Sequence, residues 1–226
     1  MTADLLLMQV TDSTFPIGAY AHSFGLETYV TCGVVADESS AERYVRRQLA
    51  GPLTYTELLG MRLAFERAGN SDVPGVLGLE ATIAAHRVPC ELREASQRLA
   101  ARFCRMVPEL LGESAAKRFA RYADAGGVHA VNVAYGVFAQ VAGIPLEDLL
   151  RRYLYTQVSA MVTTCVKAVP LSQTAGQRIL RQSYESQQDA VARALAASEG
   201  DLCRSFPGFD IRSIEHETLY TRLYMS

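Results

Sequence analysis

Few of the side chains that carry chemistry stand where they could perform it together. The four histidines, His22, His86, His129 and His216, lie far apart in the chain. Metal centres favour paired ligands, such as two histidines at i and i+4 on one helix face. The nearest approach to that pattern is His86 with Cys90 in HRVPC, where Pro89 breaks the helix that would align them. His216, beside Glu217, is the best metal candidate, as part of a site assembled across the fold or across subunits. AHSFG, residues 21–25, is similar to the nucleophile elbow G-x-S-x-G, with Ala21 in the first position. That elbow needs a strand leading into it, and no strand pattern precedes it. Ser23 reads instead as a helix N-cap, and His22 as a packed or surface ring. GESAAKR, residues 112–118, lacks the second glycine whose backbone would wrap a phosphate, so nucleotide hydrolysis is not expected of this chain.

Three other stretches suggest binding rather than catalysis. Lys167 follows a strongly apolar stretch in TTCVKAVPLSQ. A lone ammonium is costly to bury, so it must snorkel, pair or meet a partner. Capping the helix carbonyls is the plainer role. The tail from Arg212 sets Glu215, His216, Glu217, Tyr220, Arg222 and Tyr224 at helical spacing, with Leu219, Leu223 and Met225 among them. Arg and Tyr are enriched at protein–protein hot spots because each offers a large area with a polar tip. In TDSTFPIGAYAHSFGLETYV, residues 11–30, Pro16 fixes φ and Gly18 permits a sharp turn between two helices. Such a turn can hold Phe15, Tyr20, His22 and Phe24 as a rigid cluster with little ordering cost left for binding. A purely structural helix junction is the rival reading, with Phe15, Leu26 and Tyr29 as core.

The elements that must position these residues are helical. Periodicity predicts helices over 3–11, 23–32, 39–50, 53–68, 76–87, 91–107, 113–124 and 128–142. Gly33 and Gly143 act as stops, and Ser39 with Glu42 forms a capping box. A further helix begins at Leu146 and continues into VSAMVTTCVKAV, which is apolar nearly all round and predicts burial in a bundle centre. PLSQTAGQ interrupts it, with Ser172 as the next cap, and a polar helix covers 175–198. EGDLCRSFPGFD reads as a loop, and a last helix starts in IRSIEHETLYTRLYMS. Period-two alternation and hairpin turns are absent. The expected architecture is all-α: a single domain over residues 1–226, a helical bundle of about nine to eleven helices.

Composition is consistent with this. Of 226 residues, 49% are hydrophobic and 20% charged, as in a packed globular chain. A net charge of −2 provides no basic field for nucleic acid. No apolar run reaches membrane-spanning length, and MTADLLLMQV lacks the positive start of a secretory leader. Five scattered cysteines without a C-x-x-C pair fit reduced thiols, so a cytoplasmic location is expected.

Three blocks also resemble a known family, the urease accessory proteins UreF. LLLMQVTDSTFPIGAYAHSFGLETYV is similar to that family's opening, an apolar helix followed by P-[VI]-G-x-[FY] and S-x-G-L-E, here Pro16, Gly18 and Tyr20, then Ser23, Gly25, Leu26 and Glu27. VKAVPLSQTAGQRIL, residues 166–180, is similar to its K-x-[VI]-P-[LF]-[GS]-Q-x-x-[GA]-Q segment, with Lys167, Pro170 and Gln173. IEHETLYTRLYMS, residues 214–226, is similar to its H-E-x-x-Y-[ST]-R-L-[FY]-x-S ending, with His216, Arg222, Leu223 and Tyr224. The resemblance implies a helical, non-enzymatic chaperone component with no cofactor of its own. It further implies a homodimer that binds UreD (UreH in some species), recruits the GTPase UreG, and promotes nickel insertion into the urease apoprotein, with GTP bound by UreG. The positions expected to meet partners are Pro16, Gly18, Tyr20, Lys167, Gln173, Arg222, Leu223 and Tyr224. Two rivals remain: a direct nickel-binding carrier using His216, Glu217 or the cysteines, and a helical serine hydrolase using Ser23 and His22. Residues 70–140 carry no motif.

Overall fold

A computed structural model describes residues 2–19, 23, 25–220, 222 and 224. The helices are α1 (Thr2–Thr11), α2 (Leu26–Thr31), α3 (Glu38–Ala50), α4 (Leu59–Gly69), α5 (Val73–His86) and α6 (Cys90–Met106). They continue as α7 (Glu113–Ala123), α8 (Val131–Ala142), α9 (Leu146–Ala168), α10 (Gln173–Gln182), α11 (Tyr184–Ala196) and α12 (Pro207–His216). A wide π-turn, Leu53–Leu58, leads into α4, and short 3-10 turns occupy Val107–Leu110 and Glu199–Asp201. No strand occurs among the described residues, and the all-α reading holds.

The core is organised on α8, buried from Val131 to Ala139. Its main neighbour is α4. Two glycines let the helices close. A Cβ at Gly136 would collide with the Met61 carbonyl oxygen and lie 2.9 Å from the Ala64 Cβ, and one at Gly60 would lie 2.8 Å from Asn132 Nδ2. The buried Asn132 donates from Nδ2 to the Thr56 carbonyl in the π-turn at 2.9 Å. Phe103 of α6 packs its ring against Tyr135 and Phe138 of α8 and against Phe15 of the opening segment. Tyr135 donates to the Val10 carbonyl at 2.6 Å, tying α1 to the same core.

Helix boundaries differ from the sequence reading where side chains compete for the backbone. The helix expected over 175–198 is two, α10 and α11, divided at the buried Ser183. The Ser183 hydroxyl donates to the Leu180 carbonyl at 2.7 Å and accepts from Gln187 Nε2 at 2.8 Å, a local alternative to continuing the ladder. The α3 capping box uses Asp37 and Ser40, not Ser39 and Glu42, because the aspartate two residues earlier supplies the better acceptor. Ser172 caps α10 as expected, accepting from the Ala175 N–H at 3.0 Å. Ser172→Ala should cost about 1 kcal/mol in chemical denaturation. The loop EGDLCRSFPGFD gives way to α12 at Pro207, a residue suited to a first helical position. That last helix ends at His216.

One expectation is overturned in substance. The second half of α9 is not enclosed: Ala160, Thr163 and Lys167 are exposed. Its hydroxyls are satisfied within the helix, Thr163 donating to the Ser159 carbonyl at 2.9 Å and Thr164 to Ala160 at 3.1 Å. A face of small residues with internally bonded hydroxyls reads as apolar in sequence yet tolerates water.

A buried carboxylate joins α5 to the α7–α8 turn. Glu80 accepts from the Tyr122 hydroxyl at 2.6 Å, the Ala130 N–H at 2.9 Å and His129 Nδ1 at 3.1 Å. His129 Nε2 faces the Ala123 carbonyl at 3.1 Å. Both ring nitrogens meet acceptors, which favours the imidazolium. The hydrogen bond to Glu80 raises the His129 pKa above its usual value, against the opposing effect of burial. A raised folded-state pKa gives stability that is present in full below the unfolded value of about 6.5 and fades as pH climbs through the folded value. The stability gap between the wild type and His129→Gln should therefore narrow from pH 6 to pH 9 in urea titrations.

Candidate functional site: a knot between the two ends

The opening turn is built as Pro16 and Gly18 suggest. Phe15 and Ile17 are buried on either side of the exposed Pro16. The Ile17 carbonyl accepts from Arg102 Nη1 at 2.9 Å. Gly18 sits at φ 86°, and a Cβ there would collide with that guanidinium. The left-handed backbone conformation demands glycine at this position, and a side chain there would also displace the guanidinium. Further along, Gly25 precedes α2 at φ 80°, where a Cβ would lie 2.6 Å from Ser213 Oγ, so α2 and α12 pack in close contact. Tyr29 donates to the Gly208 carbonyl at 3.1 Å across the same seam. Ser23 does not cap this helix: its hydroxyl is buried without a hydrogen-bond partner among the described residues, and α2 begins at Leu26.

The tail returns to this segment. His216 is 1% exposed. Its Nδ1 lies 2.7 Å from Glu91 Oε2 and its Nε2 lies 3.1 Å from Glu27 Oε2. Arg222 donates to the other oxygen of Glu91. The Tyr224 N–H donates to Glu27 Oε2 at 3.1 Å. Glu217 turns the other way and caps α6, its Oε1 accepting from the Cys90 N–H at 2.7 Å and the Glu91 N–H at 3.4 Å. A carboxylate there also complements the positive end of the α6 dipole. The result is a hydrogen-bonded knot of Glu27, His216, Glu91 and Arg222 that joins the opening motif to the tail over the start of α6. As a metal candidate, His216 has both ring nitrogens engaged by carboxylates. No cluster of three or more His, Cys, Asp or Glu suited to a metal occurs among the described residues.

A cavity of about 770 Å³ opens beside the knot and is lined by Lys167, Ser23 and Tyr224 among others. Lys167 and Tyr224, 57 positions apart in sequence, thus share one hollow. Pro16 lines a separate, smaller hollow with Phe15, and Gln173 is exposed at the start of α10 outside both. Tyr20 and Leu223, like His22, lie outside the described residues. Sequence reading missed Glu91 and Arg102, the two α6 residues that receive the ends. A glutamate in a first helical turn signals only dipole complementarity, and a lone arginine signals nothing without its distant carbonyl. All five cysteines are free, and burial pushes the Cys104 and Cys165 thiols up to about 12.

Fold and knot together define the class: an all-helical protein in which Glu27, His216, Glu91 and Arg222 tie the opening segment to the tail. Comparison with known proteins carries this further. Residues 35–184 match the family model UreF. The chain is 33% identical to the urease accessory protein UreF of Paenarthrobacter aurescens (strain TC1), covering 100% of this chain and 99% of that one. It is 32% identical to the same protein from Arthrobacter sp. (strain FB24), covering 98% and 96%. Identity to the Lachnoclostridium phytofermentans urease accessory protein UreF is 30%, covering 98% of each. The chain belongs to the UreF family of urease accessory proteins. No helix among the described residues is long and apolar enough to cross a membrane.

Proposed function

We propose that this chain is a non-catalytic scaffold of urease maturation, acting in the cytoplasm as a homodimer. It binds UreD (UreH) and the GTPase UreG and promotes nickel insertion into the urease apoprotein. Nickel is cargo of the assembly, GTP is bound by UreG, and the chain carries no cofactor of its own. The observation that supports this best is the knot. Residues from the opening motif and the tail are fixed against each other by Glu27, His216, Glu91 and Arg222, which preorganises a composite surface. Charged groups are here spent on architecture, and Ser23, the one serine in an elbow-like context, has no base beside it among the described residues.

Coexpression with UreD and UreG, with the product sized by light scattering, tests the proposal. A stable complex containing two copies of each component is expected, and a lone monomer that ignores both partners overturns it. A chain ending at Thr218 keeps His216 and Glu217 but loses Arg222 and Tyr224. It should stay folded by circular dichroism and fail to copurify with its partners.

A further inference from the structure

We propose that the α7–α8 turn, residues 124–130, carries a proton-operated latch, in which the proton on His129 Nε2 holds the end of α7 closed and its loss frees the turn. The latch stands apart from the knot and does not depend on the scaffold reading. The His129 side chain is 14% exposed, so it can exchange a proton with water while packed. Its ring lies against that of Tyr122, with centroids 4.7 Å apart. Nδ1 meets Glu80 Oε2 at 3.1 Å, and Nε2 meets the Ala123 carbonyl at 3.1 Å. Ala123 is the last residue of α7, and a carbonyl at that position has no partner within its own helix. The bond from His129 therefore ties down the final turn of α7. Beyond it the chain is lightly restrained. Gly126 and Gly127 take φ of 78° and 118°. A Cβ at Gly126 would meet nothing within 4 Å, and one at Gly127 would lie 3.7 Å from Leu77 Cδ2. Val128 points largely into solvent, at 48% exposure.

The two ring nitrogens are not equivalent. A carboxylate is a stronger acceptor than a peptide carbonyl, so the neutral ring keeps its proton on Nδ1, toward Glu80. Nε2 then presents a lone pair to the Ala123 oxygen, and attraction gives way to repulsion. The proton leaves to solvent, while the ring stays bonded to Glu80 and packed on Tyr122. Glu80 also keeps the Tyr122 hydroxyl and the Ala130 N–H, so the core side of the site stays shut while residues 123–128 loosen. The other groups around the site do not titrate against it. Burial raises the Tyr122 hydroxyl far above its ordinary value and pushes the Cys104 thiol, on α6, up to about 12. Arg118 of α7 is turned to the Val141 carbonyl, and Arg121 and Asp124 are exposed. The hydrogen bond to Glu80 raises the His129 pKa above its ordinary value of about 6.5. The latch is accordingly closed at acid pH and opens as pH rises through the folded value.

The test uses the full chain, labelled with nitrogen and carbon isotopes, in NMR titrations from pH 6 to pH 9. Nε2 of His129 should be the ring nitrogen that loses its proton, with Nδ1 keeping its own. The carbonyl carbon of Ala123 should shift with the same midpoint. The open population of the turn should rise at least about tenfold across the titration, read from carbon relaxation at Gly126 and Gly127. His129→Gln donates one hydrogen bond and cannot titrate, so the two glycines should then be equally mobile at both ends of the range. Four results overturn the latch: loss of the proton from Nδ1, retention of both ring protons throughout, glycine mobility that ignores pH in the wild type, or the same pH response in His129→Gln. Should His129→Gln fail to fold, the nitrogen and carbonyl titrations of the wild type decide alone.

Discussion

His216→Ala lowers the stability of the chain by about 3 kcal/mol and loosens both ends together. The imidazole lies between two carboxylates, Glu27 and Glu91, at 3.1 Å and 2.7 Å. Removing it leaves those oxygens facing each other across a cavity in a poorly hydrated place. Losing one member of a buried polar network costs more than the network contributes net, because the partners stay desolvated. Arg222 still reaches Glu91, which keeps the loss below the upper end of such cases. Urea denaturation measures the size of the effect. Proteolysis at the tail measures its location, and cleavage after Arg222 should accelerate. His216→Gln, which can still donate one hydrogen bond, should recover part of the difference. A loss under about 1 kcal/mol would mean that the imidazole is not what holds the ends.

Gly136→Ala is expected to be comparably harmful, by about 3 kcal/mol or about 8 °C in melting temperature. In an exposed helix the same change would stabilise by nearly 1 kcal/mol, since alanine is the better helix former. Here the new methyl meets the Met61 carbonyl oxygen and the Ala64 Cβ of α4. A backbone carbonyl cannot swing aside as a side chain can, so α4 and α8 must separate. That would disturb the contact of Asn132 with the π-turn. Gly78, within α5, is the control. A Cβ there meets nothing within 4 Å, so Gly78→Ala should raise stability by about 0.5–1 kcal/mol. If both alanines raised the melting temperature, the tight α4–α8 seam would be disproved.

Much of this architecture was legible because it depends on local rules. Gly33 and Gly143 stop α2 and α8 in left-handed conformations, and Ser172 starts α10. The turn at Pro16 and Gly18 falls where a fixed φ followed by a permissive one requires it. What stayed hidden depends on distance. The break at Ser183 arises from a hydroxyl that found Leu180 and Gln187. The exposed face in the second half of α9 misled because Thr163 bonds to its own helix and so mimics an apolar residue. The candidate site was legible in its end segments and illegible in its centre. Glu27, His216 and Arg222 lie in recognisable blocks, whereas Glu91, which receives two of them, sits in a stretch with no motif. Pairings across 125 and 131 positions leave no periodic trace.

Glu217 supplies the terminal hydrogen-bond acceptor for a helix that begins 127 positions earlier. Ribosomal synthesis is directional, so α6 emerges long before its cap exists. Until the final segment arrives, the N–H groups of Cys90 and Glu91 can be satisfied only by water. Folding of this region therefore has a built-in order: the interior seam of α4 and α8 can settle early, and the surface that joins the opening segment to residues 216–224 closes later. A nascent chain released before that segment would keep much of its interior but would lack the finished end surface. Prematurely terminated products would thus be disqualified from assembly without any need for them to unfold.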